Sequence, residues 1–192
     1  MAKAFDWVRF EPKALVLEGY PFERAGRPAR LEAKQLVDVS VGWFPPAVLT
    51  KEGEFVFVPA TRANELRAFA TENSIPFVWR ADIWSMLLEP FLDTELTLAN
   101  SERLYQQLEK HEVPRKEADQ VREALKYRML MLTAVTWEWA HYGMFDALSQ
   151  MKGFPFLQGW TFARFYDYAM SLAGRGSVQP ATAADFFPPN RK

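Results

Sequence analysis

The chain contains 192 residues, of which 49% are hydrophobic and 24% are charged, and none is cysteine. This composition excludes a wholly disordered chain, and the absence of cysteine excludes disulfides, thiolate metal sites and cysteine nucleophiles. The net charge of −1, from 23 basic and 24 acidic residues, provides no basic field for phosphates, so a nucleic-acid partner is disfavoured.

The first eighty residues are rich in predicted strands. Short apolar runs bounded by glycine or proline predict strands at 14–17, 55–58 and 75–79. Between the first two runs, valines alternate with polar residues in the order Val37, Asp38, Val39, Ser40, Val41. This alternation predicts a strand with one buried face and one solvent face.

A helix is predicted between the last two of these strands, because Leu66, Phe69 and Ala70 recur at helical spacing. A strand, a short helix and a second strand in this order form a βαβ unit, which we expect at 54–79. Its two strands would run in the same direction.

From Asp82 onward the pattern is helical. Two columns of apolar residues spaced four apart predict a helix, which Pro90 is expected to break. Further helices are predicted at 101–110, from Pro114 through 129–148, and at 160–172. The stretch 129–148 is apolar on every side, which predicts a buried helix that Gly143 or Gly153 bends or ends.

These elements predict an α+β protein, in which a small N-terminal β-containing part packs on a mostly helical C-terminal part. We expect one domain over 1–175, β-rich over 1–80 and helical over 81–174, followed by an extended tail at 176–192.

Glu138 and His141 lie three residues apart in the predicted buried helix, so they would share one face. A carboxylate and an imidazole placed in this way can transfer protons or bind a metal ion. The chain has two histidines, too few for the paired arrangement of a two-metal helical bundle. A site for one metal ion, with Glu89 or Asp93 as a third ligand, is a minor alternative, and no metal or other cofactor is predicted. The structural alternative is that Glu138 and His141 are buried polar groups, satisfied by each other or by Arg128 or Arg164.

Two further acidic patterns have both a functional and an ordinary explanation. Asp82, Glu89 and Asp93 fall within about 40° on one helix face, which suits either a cation site or a solvated surface. Glu32-Ala33-Lys34, with Glu18 upstream, matches a short pattern of metal-dependent nucleases that also arises often by chance.

Two segments share one pattern, an aromatic pair followed by two prolines. They are Trp43-Phe44-Pro45-Pro46 and Phe186-Phe187-Pro188-Pro189. Proline-rich segments are stiff and dock with a low entropic cost. We therefore predict that Trp43, Phe44, Phe186 and Phe187 bind a partner protein or a second copy of this chain. The alternative for the second segment is packing on its own domain, or disorder.

The sequence contains neither a nucleophile elbow nor a phosphate-binding glycine loop. We expect a non-catalytic protein-binding or regulatory module. The alternative is a small metal- or carboxylate-dependent enzyme, of hydrolase or oxidase type, using Glu138 and His141, and a metal-dependent nuclease is a minor alternative. Because the sequence shows no apolar leader and no apolar run of about 20 residues, we expect a cytoplasmic location and no membrane partner.

Overall fold

A computed structural model describes residues 6–22, 27–92, 97–136, 142–153 and 161–186. Within these ranges the strands are β1 (Val8–Glu11), β2 (Ala14–Leu17), β3 (Arg30–Glu32), β4 (Leu36–Ser40), β5 (Ala47–Thr50), β6 (Phe55–Phe57), β7 (Phe77–Arg80) and β8 (Val178–Ala181). The helices are α1 (Ala63–Glu72), α2 (Ile83–Leu88), α3 (Leu98–Lys110), α4 (Arg115–Thr136), α5 (Met144–Gly153) and α6 (Phe162–Gly174). The predicted α+β class, with strands preceding a helical part, is confirmed.

Contacts within the chain define two compact units. The first, which we call the sheet unit, comprises residues 1–81 and 178–192, and the second, the helical unit, comprises residues 82–177. The sheet unit holds the eight described strands and α1, whereas the helical unit holds α2 to α6. The single domain expected over 1–175 stays a prediction.

The sheet unit contains two sheets. One is antiparallel with strand order β1-β2-β3, and the other has five strands in the order β6-β5-β4-β7-β8. Within the five-stranded sheet, β4 and β7 pair in parallel and the other neighbours pair antiparallel. It follows that β6 and β7 run in the same direction, with β5 and β4 between them. The βαβ unit expected at 54–79 is thus present as β6, α1 and β7, with a crossover that spans two strands.

Strand β4 is buried on both faces, so the predicted strand with one solvent face is wrong. Asp38 and Ser40 are as buried as Val39. The physical reason is that side chains of neighbouring strands cover the face of Asp38 and Ser40: the Arg80 guanidinium bonds to Asp38 and lies against the Phe55 ring. Val37 is partly exposed where the β4–β5 register shifts between Leu36 and Asp38.

The C-terminal segment belongs to the sheet unit. Residues 178–181 are extended, as expected for the tail, but they pair with β7 as strand β8. Beyond this strand, the Phe186 ring is buried and lies 6.0 Å from the Phe77 ring. Among the described residues of the tail, this segment packs on its own chain, which is the alternative that the sequence left open.

In the helical unit, local breaks occur where proline and glycine predict them. Helix α2 ends at Leu88 and a single 3-10 turn containing Pro90 follows. The helix predicted over 129–148 is interrupted at Gly143, one of the two glycines expected to bend or end it: residues 142–143 are not helical and α5 begins at Met144. The backbone N–H of Gly143 donates to the Asp146 carboxylate at 2.9 Å, which caps the start of α5.

The core of the helical unit is centred on Trp84 of α2. Its Nε1 donates to the carbonyl oxygen of Ala169 at 3.2 Å, and its ring lies 5.7 Å from the Phe165 ring in an edge-on arrangement. Because both partners lie on α6, this one buried side chain ties α2 to α6 through a hydrogen bond and an aromatic contact.

Candidate functional site

The connection between β4 and β5, residues 41–46, presents one exposed aromatic side chain. We call it the Phe44 loop. Phe44 is 63% exposed, whereas its neighbour Trp43 is buried. The loop reverses the chain direction, because Ser40 before it pairs with Ala47 after it. The loop is therefore a six-residue hairpin connection, in which the peptide bond between Phe44 and Pro45 is cis.

Residues on both sides of Phe44 are anchored to the sheet unit. The Trp43 Nε1 donates to the carbonyl oxygen of Arg80 at 3.2 Å, and the Trp43 ring lies 4.7 Å from the Phe55 ring. On the other side, the carbonyl oxygen of Pro46 accepts a hydrogen bond from the backbone N–H of Val58 at 2.8 Å. The loop thus holds the exposed ring on a fixed base.

The four aromatic residues predicted to bind a partner have different environments. Trp43 and Phe186 are buried in the sheet unit, and Phe44 is exposed. Phe187 lies outside the described residues. Of the three that are described, Phe44 alone offers its ring to another molecule.

A buried polar cluster lies at the carboxyl ends of the two parallel strands. Arg80 Nη2 donates to Asp38 Oδ2 at 2.8 Å, and the guanidinium carbon of Arg80 lies 5.1 Å from the centroid of the Phe55 ring. Ser40, which is fully buried, shares this face of β4 with Asp38. Burial raises the pKa of the Asp38 carboxyl above its ordinary value, although the charge and hydrogen bond of Arg80 oppose this shift.

The sequence did not single out this polar cluster as a site. The signal in the sequence was the presence of a carboxylate and a hydroxyl, Asp38 and Ser40, within a valine-rich run. If such a strand is buried on both faces, these polar groups need partners within the protein because solvent does not reach them. The signal was missed because alternation with valine was interpreted as a solvent face.

The predicted acid–base pair, Glu138 and His141, lies outside the described residues. Asp93, the third residue of the acidic pattern with Asp82 and Glu89, also lies outside the described residues. Asp82 caps helix α2, because its Oδ1 accepts a hydrogen bond from the backbone N–H of Ser85 at 2.9 Å. The catalytic use of Glu138 and His141 therefore stays a prediction.

The acidic residues of the nuclease-like pattern are placed apart. Glu32 pairs with Ala14 at the start of β2, whereas Glu18 follows the end of that strand. Glu18 is four residues beyond Ala14, the partner of Glu32, in extended chain. The backbones of Glu18 and Glu32 are therefore about 13 Å apart along the strand direction. Each carboxylate instead pairs with an arginine, Glu18 with Arg9 and Glu32 with Arg30.

A groove of about 750 Å³ lies in the helical unit. Its lining includes the buried side chains of Val121 and Phe165 and the half-buried side chains of Glu117 and Tyr168. Tyr168 donates to Glu117 Oε1 at 2.8 Å, and Arg175 Nη1 donates to Glu117 Oε2 at 2.9 Å. The Glu117 carboxylate in this lining is therefore held by two donors of its own chain.

In the ranges that the structure describes, no three histidine or acidic residues are grouped in a way that could hold a metal ion. None of the helices in these same ranges is long and apolar enough to cross a membrane. Comparisons with protein-family models, with curated proteins and with solved structures found no match to this chain.

Proposed function

We infer that this chain is a non-catalytic protein-binding module whose contact with its partner is centred on Phe44. The observation that carries this proposal is the exposed ring of Phe44 on a loop whose flanking residues are anchored. Burying an aromatic ring of this size in a partner contributes about 1.5–3 kcal/mol from the apolar area removed from water. Such aromatic anchors carry much of the binding energy in protein interfaces.

The anchoring of the loop supports the proposal through entropy. Ordering a mobile side chain or loop upon binding costs free energy, which reduces affinity. Trp43 and Pro46 are held by hydrogen bonds to the sheet unit before any partner arrives. Much of the conformational entropy of the Phe44 loop is therefore already lost when the chain folds, so less is lost when a partner binds.

The partner that this surface suits is a polypeptide with an apolar pocket for the Phe44 ring. The near balance of 23 basic and 24 acidic residues favours a protein over a nucleic acid as the partner. A second copy of this chain is an alternative polypeptide partner.

Photo-cross-linking in the organism that makes the protein tests this proposal. A photoreactive phenylalanine analogue at position 44 should form one discrete adduct, whose second component is then identified by mass spectrometry. The same analogue at Tyr127 is the matched control, since that ring is 67% exposed on α4. An adduct between two copies would identify the partner as this chain itself.

Affinity for the identified partner provides the quantitative test. Phe44→Ser should weaken binding by about 30-fold or more, which corresponds to the roughly 2 kcal/mol of an interface hot spot. Tyr127→Ser should leave the affinity unchanged. Equal adduct yields at positions 44 and 127, or unchanged affinity of Phe44→Ser, would contradict the proposal.

A further inference from the structure

The register of the two parallel strands places three polar side chains on one face of the sheet. Ser40 is level with Val78 of β7, and the Val41 N–H donates to the Val78 carbonyl oxygen at 3.0 Å. Arg80 lies two residues beyond Val78, on the same face. Its guanidinium reaches back to Asp38, which lies two residues before Ser40. Along the strand direction, Ser40 therefore lies between the level of Asp38 and the level of Arg80, on the same face of the sheet.

Each of these three side chains has a polar atom without a hydrogen-bond partner. The atoms are Asp38 Oδ1, Ser40 Oγ and Arg80 Nε. The exposed fractions of the three residues are 6%, 0% and 8%, so bulk solvent does not satisfy these atoms. Leaving a buried donor or acceptor unsatisfied costs about 1–3 kcal/mol for each group.

The chemistry of the three atoms defines what would satisfy them. Arg80 Nε is a donor, Asp38 Oδ1 is an acceptor, and the Ser40 hydroxyl can be either. A cation at this position would be repelled by Arg80 and an anion by Asp38. A small neutral molecule that both donates and accepts hydrogen bonds meets this requirement.

We propose that Asp38, Ser40 and Arg80 form a binding site for ordered water at the carboxyl ends of β4 and β7. Buried waters typically make about three hydrogen bonds to such unsatisfied groups. The bound water bridges Ser40 Oγ to the Asp38–Arg80 ion pair and so completes the hydrogen bonding of both charges.

A high-resolution crystal structure of the full chain tests the site directly. The expected result is a water within roughly 2.7–3.2 Å of Ser40 Oγ that also contacts Asp38 Oδ1 or Arg80 Nε. A structure in which Arg80 Nε donates directly to Asp38 Oδ1, with no water at Ser40, would overturn the proposal. Density for a molecule larger than water would overturn it as well.

A measurement in solution complements the crystal structure. Oxygen-17 relaxation dispersion counts water molecules that reside in the protein for long times. Ser40→Val, whose methyl groups would occupy the space of the water, should lower this count by about one. Ser149→Val is the control, because the Ser149 hydroxyl already donates to the Phe145 carbonyl oxygen at 2.8 Å. An unchanged count in Ser40→Val would contradict the proposal, and the wild-type crystal structure decides the matter if that variant does not fold.

Discussion

Arg80 and Val178 are directly paired across β7 and β8, although residues 81–177 lie between them in the chain. The chain leaves the sheet unit after β7 and returns to it as β8, the strand next to β7. The helical unit is thus inserted between two strands that are neighbours in the sheet, at a point where opposed Cα atoms are about 4.5–5.5 Å apart.

Such an insertion predicts that the sheet unit can fold after the helical unit is removed. Replacing residues 81–177 with Asn-Gly converts β7 and β8 into a hairpin with a two-residue turn. We expect this shortened protein to keep a cooperative unfolding transition and a strand-rich circular dichroism spectrum. Joining Arg80 to Gln179 through the same turn shifts the register by one residue and should be less stable. An unfolded spectrum for the first variant would contradict the prediction.

A second prediction concerns the edge strand β6, whose outward backbone groups are paired by side chains. The backbone N–H of Phe57 donates to the Tyr20 hydroxyl at 2.9 Å, and Trp7 Nε1 donates to the carbonyl oxygen of Phe57 at 2.9 Å. Tyr20→Phe keeps the ring but leaves the Phe57 N–H without its acceptor. The free energy of unfolding, measured with urea, should fall by about 1–3 kcal/mol.

The control for Tyr20 is an exposed tyrosine. Tyr127→Phe removes a hydroxyl from a ring that is 67% exposed, so stability should change by less than about 0.5 kcal/mol. Equal effects of the two substitutions would show that the hydroxyl of Tyr20 does not support the edge of the sheet.

Local signals in the sequence identified the elements whose ends depend on neighbouring residues. Pro90 removes a helical donor, and α2 ends just before it. Gly143 precedes α5, whose start is capped by Asp146 three residues later. These features are predictable because proline, glycine and capping carboxylates act on the backbone within about one helical turn.

Other elements depend on contacts between distant segments, which a single sequence does not display. Strands β1 and β3 alternate charged with apolar residues, but over only four and three residues, which is too short for periodicity to identify them. Ion pairs join the two strands, among them Arg30 to Glu11. Strand β8 forms by pairing with β7, although residues 81–177 separate the two strands in the sequence. Propensity and periodicity carry no information on such pairings.

The candidate site likewise combines features that neighbouring residues determine with features that depend on distant segments of the chain. The Phe44 loop was recognised from its aromatic and proline residues, which are adjacent in the sequence. The burial of Trp43 beside the exposure of Phe44 depends on Phe55 and Arg80, which belong to other strands. The polar cluster of Asp38 and Arg80 likewise requires the parallel pairing of β4 with β7.

A third prediction tests the packing at the base of the Phe44 loop. A Cβ added at Gly42 would lie 2.8 and 2.9 Å from two ring carbons of Trp79, which is too close for the ring to stay in place. Gly42→Ala should therefore destabilise the protein by about 1–3 kcal/mol, as overpacked positions do. The measurement is the urea dependence of tryptophan fluorescence.

Gly174, at the end of α6, provides the matched control for this substitution. A Cβ added there meets no atom within 4 Å, so Gly174→Ala should be neutral or should raise stability by a few tenths of a kcal/mol. If Gly42→Ala proves as harmless as Gly174→Ala, the contact between the loop and Trp79 does not constrain residue 42.

The last prediction concerns the pH dependence of stability at Glu117, whose carboxylate accepts hydrogen bonds from Tyr168 and Arg175. Burial alone would raise the pKa of Glu117, but the hydrogen bonds from Arg175 and Tyr168 and the Arg175 charge lower it below its ordinary value of 4.5. A lowered pKa in the folded state means that the unfolded chain takes up the proton first as the pH falls. The stabilisation from Glu117 is therefore complete above about pH 5.5 and is lost as the pH falls through the folded-state pKa.

The difference in unfolding free energy between wild type and Glu117→Gln should shrink over that acid range, when followed by urea titrations between about pH 3 and 7. Glu123→Gln, at a mostly exposed position on the same helix, is the control and should change stability by less than about 0.5 kcal/mol. A wild-type advantage over Glu117→Gln that stays constant across the whole range would show that this carboxylate is not stabilised in its charged form.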